Sequence, residues 1–198
     1  MSDSPLVATD ATDSHPYPLD FVIAHRDGIP HRAVHFEIFN DQGNYFVWLR
    51  LDGRLEIPGG HVDWNEKQNR PESYEEAALR ELCEELNLSV NWKLSPSDVE
   101  NKLLGRLIPI AKIVNQVPSS HGSNNEWVTV YELRWQSDWG NPCEFIFSEE
   151  GHRAARWLSL NEIEELSIKS PMAINSALRL FLQRRGVLIP ITESMTRS

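Results

Sequence analysis

A short acidic segment, Glu72 to Leu88, contains the residues whose types and spacing could do chemistry. At about 100° per residue, Glu81, Glu84 and Glu85 share one face of a helix. Like charges at this spacing repel and weaken a helix by roughly 0.3 kcal/mol per pair. Hard divalent cations such as Mg²⁺ or Mn²⁺ relieve this repulsion, because they prefer oxygen ligands and keep waters that substrate phosphates replace. The spacing therefore predicts a metal-binding face.

A solvated acidic surface is the alternative interpretation of the same glutamates, and it is common on exposed helices. Two neighbouring features favour the metal site. Arg80 flanks the acidic face, where it can pair with a glutamate and fix its position. Pro58-Gly59-Gly60 stands upstream at the end of a predicted strand. Glycines there let the backbone approach a ligand closely, and a main-chain carbonyl near Gly59 could add a metal ligand.

The helix that positions these glutamates has clear start and end signals. Ser73 is a good N-cap and Glu76 stands three residues later, which is the pattern of a capping box. The opposite, apolar face consists of Leu79, Leu82, Cys83 and Leu86. Cys83 is therefore expected to be inert packing. We expect the helix to end near Leu86 or Asn87, because Asn tolerates the left-handed conformation common at helix ends.

The other elements are predicted from periodicity and turn signals. Strands are expected at His31–Asn40, Tyr45–Leu51, Leu55–Ile57, Gly105–Val114, Glu126–Trp135 and Arg156–Leu158, the first two forming a hairpin. Further helices are expected at Ser95–Leu103, Asn161–Leu166 and Pro171–Arg185. Strands and helices alternate without regular βαβ units. This order predicts an α+β fold, an α/β/α sandwich in which helices flank a mixed sheet.

The 198 residues suit one globular domain, expected at 20–187. Residues 1–19 are predicted to be a flexible leader in which little is buried, and residues 188–198 a C-terminal tail. No apolar run is long enough to span a membrane, and the N-terminus lacks the features of a signal peptide, so we expect a cytoplasmic protein. The formal net charge of -10 and the absence of a Lys/Arg cluster argue against binding of a nucleic-acid duplex.

The acidic segment and the glycines before it resemble the Nudix signature, G-x5-E-x7-R-E-U-x-E-E-x-G-U, in which U is aliphatic. Glu72, seven residues and then Arg80-Glu81-Leu82-x-Glu84-Glu85 match its second half. Gly59-Gly60-His61-Val62-Asp63 is similar to the opening loop of the family. The wider resemblance extends from about Phe21 to Gly186.

Two departures from the signature bear on the site. Asn87 stands where the family has its last glycine, which is a mild change. Eleven residues, 61–71, separate Gly60 from Glu72, where the family has five. The insertion creates a rival, Glu66, which keeps the family's spacing from Gly60 but not from Arg80. We favour Glu72, because it borders the helix start and so lies at a nearly fixed distance from the metal face.

The resemblance implies a hydrolase that uses Mg²⁺ or Mn²⁺ to cleave a diphosphate linkage in a nucleoside diphosphate derivative or a similar small pyrophosphate. The implied metal residues are Glu72, Glu81, Glu84 and Glu85; Glu81, Glu85 and Arg80 are the implied catalytic residues. The implied substrate-binding residues are Gly59, Gly60, His61 and Trp64. The expected partner is a small diphosphate molecule, and a homodimer is possible.

Several side chains keep two interpretations. Glu81 is the first candidate to help deprotonate water, with Glu132, Glu149 and Glu150 as alternatives from other elements. His61 could contact phosphate or serve only the structure of its loop. A metal role for His31 or His35 stands beside the interpretation of ordinary strand histidines.

Two rival functions remain open. The stretch from His31 to Asn40 resembles the isopentenyl-diphosphate isomerase branch of the same superfamily. That isomerase needs a catalytic cysteine where this chain has Pro58-Gly59-Gly60-His61, so hydrolysis is favoured. A Nudix domain that binds a nucleotide as a sensor, without turnover, is the other rival. Such domains usually lose signature glutamates or the arginine, which are all present here.

Overall fold

A computed structural model describes residues 4–119, 122–147 and 152–187 of the chain. The predicted tail at 188–198 and two candidate bases, Glu149 and Glu150, lie outside the described residues. The strands are β1 (Leu6–Ala8), β2 (Tyr17–Leu19), β3 (His31–Phe39), β4 (Tyr45–Arg50), β5 (Leu55–Glu56), β6 (Gly59–His61), β7 (Trp64–Asn65), β8 (Arg70–Pro71), β9 (Ile108–Ser119), β10 (Gly122–Arg134) and β11 (His152–Leu158). The α-helices are α1 (Phe21–Asp27), α2 (Tyr74–Glu85), α3 (Leu88–Trp92), α4 (Pro96–Leu103), α5 (Leu160–Lys169) and α6 (Ser176–Arg184).

Strand β3 is the hub of a nine-stranded mixed sheet. It pairs antiparallel with β1, β4 and β6, and parallel with β10 along its whole length, from Glu126 opposite His31 to Arg134 opposite Phe39. Strand β9 continues the sheet antiparallel to β10, and β11 pairs with β4. The predicted hairpin of β3 and β4 is present, although the two strands pair only at Phe39 and Tyr45.

Helices cover both faces of this sheet. Alternate residues of β3, among them Val34 and Phe36, are fully buried in one core with Ala78 and Leu82 of α2. A second core joins Val47 and Ile57 to α5 and α6. Because successive side chains of a strand point to opposite faces of the sheet, one helical layer packs on each face. The predicted α+β sandwich is confirmed. In the described part of the chain, no helix combines the length and the apolar character that crossing a membrane requires.

The helix predictions hold except at the C-terminal end. Ser73 and Glu76 form the capping box that starts α2, and Ser159 caps α5 in the same way. The single helix expected over Pro171–Arg185 is wrong. A short 3₁₀ turn at Pro171–Ala173 is followed by an extended residue, and α6 begins only after Asn175, whose side chain accepts from the Leu178 backbone N–H. The Asn175 backbone N–H also donates to the Leu55 carbonyl at 2.9 Å, which ties this break to the sheet.

The N-terminal segment differs most from expectation. Within the predicted flexible leader, Leu6–Ala8 forms a buried strand that pairs with Tyr17–Leu19 and β3. The prediction of a leader with little buried is wrong for these residues, because three consecutive apolar side chains here are packed in the sheet. Helix α1, which the periodicity did not predict, begins after Asp20, whose side chain caps the Ile23 N–H.

Candidate active site

Arg80 is the centre of the predicted acidic site. Its guanidinium donates to both carboxylate oxygens of Glu72, at 3.0 Å from Nε to Oε1 and 2.8 Å from Nη2 to Oε2. Nη1 donates to Glu81 Oε1 at 2.9 Å and to Glu84 Oε2 at 3.3 Å. We call these three glutamates, Glu72, Glu81 and Glu84, together with Glu85 on the same helix, the acidic cluster. The predicted pairing of Arg80 with a glutamate is present, and the guanidinium fixes the carboxylates of Glu72, Glu81 and Glu84 relative to one another.

The inserted residues leave this geometry intact. They fold into the small hairpin of β7 and β8, which projects from the chain between Asp63 and Glu72. The two ends are joined, because the Glu72 N–H donates to the Asp63 carbonyl at 3.0 Å and the Asp63 N–H donates to Glu72 Oε2 at 3.1 Å. Glu72 is therefore the glutamate that meets Arg80. Glu66 is exposed in the turn of the hairpin.

At Gly59 and Gly60, the backbone of β6 lies directly against the acidic cluster, with no side chain between them. The Gly59 N–H donates to Glu85 Oε2 at 3.0 Å. A Cβ added at Gly60 would lie 2.1 Å from the carboxyl carbon of Glu81, so the Glu81 side chain would have to move. A side chain at position 60 would therefore displace the Glu81 carboxylate from its place beside β6. The loop and the helix form one site, although they are separate in the sequence.

The charges of the site are unbalanced. Four carboxylates, those of Asp63, Glu72, Glu81 and Glu84, lie within 4.0 Å of the single guanidinium of Arg80. Burial alone would lower the pKa of Arg80, but the bonds and charges of Glu72 and Glu81 raise it. Burial raises the pKa of the Glu81 carboxyl, and the opposing attraction of Arg80 does not cancel the shift. A divalent cation bound by the carboxylate oxygens would neutralise the negative charge that Arg80 leaves unbalanced.

The remaining predicted residues lie in different surroundings. The backbone carbonyl of His61 accepts from Arg80 Nη2 at 2.9 Å, but its ring points to Glu126, away from the acidic cluster. Trp64 packs against the core shared with α2. Cys83 also packs against that core, and burial raises the pKa of its thiol to about 12, as expected for an inert position. A substrate contact of His61 or Trp64 stays a prediction.

Among the candidate bases outside α2, Glu132 lies on β10 opposite Glu37, and its carboxylate is 3.7 Å from Arg185. Sequence reasoning missed Asp63 and the His61 carbonyl as partners of Arg80. It also missed Glu126 and His25, which gather with His31 and His61. No local spacing signals these contacts, since they depend on strand pairing between distant segments.

The arrangement suits chemistry on an anionic, phosphorylated substrate with cations between protein and ligand. A family model of the NUDIX domain matches residues 29–180. No curated protein sequence matches the chain significantly.

Solved structures show the same fold at low sequence identity. DR0079 from Deinococcus radiodurans superposes with a TM-score of 0.61 at 23% identity, covering 90% of this chain and 97% of that one. A MutT protein from Methanosarcina mazei Go1 gives 0.50 at 17% identity, covering 78% and 91%. A MutT NUDIX hydrolase from Burkholderia pseudomallei gives 0.50 at 21% identity, covering 78% and 96%.

Proposed function

This chain belongs to the NUDIX domain family, and from that premise we propose that it is a hydrolase dependent on Mg²⁺ or Mn²⁺. Its proposed substrate is a nucleoside diphosphate derivative or a similar small molecule with a diphosphate linkage. The observation that carries the proposal is the acidic cluster, in which one guanidinium orders Glu72, Glu81 and Glu84 beside the glycine strand β6.

The donor set fits a hard divalent cation. Carboxylate oxygens of Glu81, Glu84 and Glu85 come from one helix face, and the backbone near Gly59 lies against them. Mg²⁺ favours a few carboxylates together with water and substrate phosphates over a closed protein cage. When bound, the ion supplies charge neutralisation at phosphate oxygens and acidifies water. The side chain of Glu81 is 13% exposed and that of Glu84 is 57% exposed, so an ion bound between them would face solvent on one side.

The residues of the chain have separate roles in this proposal. Arg80 positions the carboxylates and does not need to contact substrate, because its donors are engaged by Glu72, Glu81 and the His61 carbonyl. Glu81 is largely buried and accepts a hydrogen bond from Arg80, and we assign it to accept a proton from the attacking water. Gly59 and Gly60 let the backbone of β6 lie directly against the carboxylates of Glu81 and Glu85.

The test is hydrolysis by the purified full chain. Nucleoside diphosphates, their sugar and alcohol derivatives, dinucleoside polyphosphates and isopentenyl diphosphate are incubated with Mg²⁺, Mn²⁺ or chelator, and products are separated by chromatography. We expect phosphate-containing products from at least one compound, and none with chelator. Binding without product would favour a sensor, and an isomeric product from isopentenyl diphosphate would favour an isomerase.

A matched pair of variants tests the assignment of the second signature glutamate. Glu72→Gln removes an acceptor from Arg80 and should lower kcat/KM by about tenfold or more. Glu66→Gln changes the exposed rival in the same inserted hairpin and should leave kcat/KM unchanged. The reverse result would show that the helix-start position has been misassigned.

A further inference from the structure

A second group of ionisable side chains is assembled by the sheet from four separate elements. His31 of β3 lies directly opposite Glu126 of β10, and His61 of β6 lies opposite Ala33, two residues farther along β3. Because side chains alternate along a strand, these three point to the same face of the sheet. His25 of α1 packs over them, with its ring centroid 4.7 Å from that of His31 and 5.3 Å from that of His61.

The four side chains converge on one point. The ligand atoms that they offer all lie within 4.8 Å of one another. Glu126 Oε1 is 3.6 Å from His61 Nε2 and 3.8 Å from His31 Nε2. In a tetrahedral zinc site with bonds of about 2.0–2.1 Å, ligand atoms lie about 3.3–3.4 Å apart. Small side-chain adjustments therefore bring the group to the geometry of a metal site.

Two imidazole nitrogens of the group lack a hydrogen-bond partner. His31 Nε2 and His61 Nε2 are buried atoms that lack a hydrogen-bond partner within 3.5 Å, and the His31 side chain is 0% exposed. Buried polar atoms are nearly always paired, and an unpaired one costs roughly 1–3 kcal/mol. Both atoms face the same carboxylate oxygen at distances longer than a hydrogen bond. A cation held between them would satisfy both nitrogens and the carboxylate together.

Hydrogen bonds to surrounding residues orient His25, His31 and Glu126 as metal ligands. The Nδ1 atoms of His25 and His31 lie 2.8 Å from the carbonyls of Phe21 and Ile29, so each ring donates outward and Nε2 is left as the ligand nitrogen. The Glu126 carboxylate is held in turn, since Asn115 donates to Oε2 at 2.6 Å and Asn124 donates to Oε1 at 3.0 Å. Histidine-to-carbonyl bonds of this kind fix the tautomer and ring orientation of metal ligands.

We propose that His25, His31, His61 and Glu126, the histidine cluster, form a binding site for a transition-metal ion, with Zn²⁺ as the best match. Three imidazoles and one carboxylate are typical zinc ligands, whereas Mg²⁺ selects oxygen donors. Four protein side chains, of which His25, His31 and Glu126 are buried, supply a complete set of four ligands, as in structural zinc sites. This site is independent of the acidic cluster and does not depend on the proposed hydrolase activity.

The proposed ion has a structural role at the strand that serves both sites. The side chain of His61 faces the histidine cluster, while its carbonyl accepts from Arg80 in the acidic cluster at 2.9 Å. Gly60, the preceding residue, faces Glu81. An ion bound by His61 would thus fix β6 against β3, β10 and α1, and we expect it to raise the thermal stability of the chain.

The experiment measures zinc binding by the full chain. Protein stripped with chelator and dialysed against Zn²⁺ should retain about one equivalent by elemental analysis, with a higher Tm than the stripped protein. Co²⁺ in place of zinc should give the strong visible absorption of a tetrahedral nitrogen and oxygen environment. Retention of less than a tenth of an equivalent, with neither a Tm shift nor a Co²⁺ band, would overturn the proposal.

Variants locate the ion. His61→Asn, at a side chain that is 27% exposed, and Glu126→Gln should each weaken zinc binding by at least tenfold and remove the Tm shift. His15→Asn, at a side chain that is 86% exposed, is the matched histidine control and should bind as the unaltered chain does. Glu84→Gln should also retain zinc. Loss of zinc from Glu84→Gln, or normal binding by His61→Asn, would refute the assigned ligands. If the cluster variants do not fold, the Co²⁺ spectrum of the unaltered chain decides.

Discussion

The acidic cluster and the histidine cluster lie on opposite sides of strand β6. They differ in the groups that surround and balance their carboxylates. In the acidic cluster, carboxylates partly open to solvent share one guanidinium. In the histidine cluster, one carboxylate lies among three imidazoles in a buried position. The first arrangement exposes the Glu84 carboxylate to solvent, and the second gathers its ligand atoms within 4.8 Å of one another. The contrast supports the catalytic role proposed for the acidic cluster and the structural role proposed for the histidine cluster.

The largest expected effect separates the two clusters by activity. Glu81→Gln keeps the size of the side chain but removes a charged ligand and proton acceptor, so kcat should fall by at least about a hundredfold. The fold and the zinc-dependent Tm shift should survive. Steady-state kinetics and thermal melts of the same preparation measure both. Glu75→Gln, exposed on the first turn of α2, is the control and should keep its kcat. Equal turnover in Glu81→Gln and the unaltered chain would remove the acidic cluster from the mechanism.

The second prediction uses neighbouring glycines that face the two sides of β6. A methyl group at Gly59 would lie 2.6 Å from the Val34 carbonyl oxygen and from the His35 ring, so backbone must move. Gly59→Ala should lower the free energy of unfolding by about 2 kcal/mol. At Gly60 the clash is with the carboxyl end of Glu81, which can swing aside. Gly60→Ala should cost less than about 1 kcal/mol but lower kcat/KM by about tenfold. Denaturant titration and kinetics compare the two, and identical profiles would contradict the assignment of faces.

The acidic cluster was predictable from sequence because its residues are neighbours on one helix. The capping box of Ser73 and Glu76 and the helical period placed Glu81, Glu84 and Arg80 correctly without tertiary information. A metal role for His31 was one interpretation of the sequence, but the complete histidine cluster was not predictable, since it depends on the parallel pairing of β3 with β10, which puts Glu126 beside His31. The N-terminal strand was missed for a related reason. Leu6, Val7 and Ala8 are too few to show a period, and only their pairing in the sheet explains their burial.

Asp13 tests whether that N-terminal segment belongs to the domain. Its carboxylate, 2% exposed, accepts from Arg32 Nε at 2.6 Å, from the Tyr74 hydroxyl at 2.9 Å and from Lys112. These contacts join the segment to β3, β9 and α2. Asp13→Asn should lower the free energy of unfolding by about 2 kcal/mol, because a buried charge network loses one partner. A chain with an independent leader would show no change.

The same carboxyl gives a pH dependence. Burial alone would raise the pKa of Asp13, but the hydrogen bonds from Lys112 and Arg32 outweigh it and the pKa is lowered. A lowered pKa means that the stabilisation is complete above the unfolded value of about 3.9 and is lost as the pH falls through the folded value. The difference in stability between Asp13→Asn and the unaltered chain should therefore be constant near neutral pH and shrink in acid. A difference that grows in acid would have the wrong sign.

The smallest expected effect compares two helices that start alike. Ser73 of α2 and Ser159 of α5 each accept a backbone N–H and receive a glutamate in return. Replacing either serine by alanine should lower the free energy of unfolding by about 1 kcal/mol. Only Ser73→Ala should also reduce kcat/KM, because Ser73 follows Glu72 and fixes the start of the helix that carries Arg80. Paired measurements of unfolding and kinetics test this. Equal kinetic effects in the two variants would mean that lost stability, and not the position of Glu72, accounts for the change in activity.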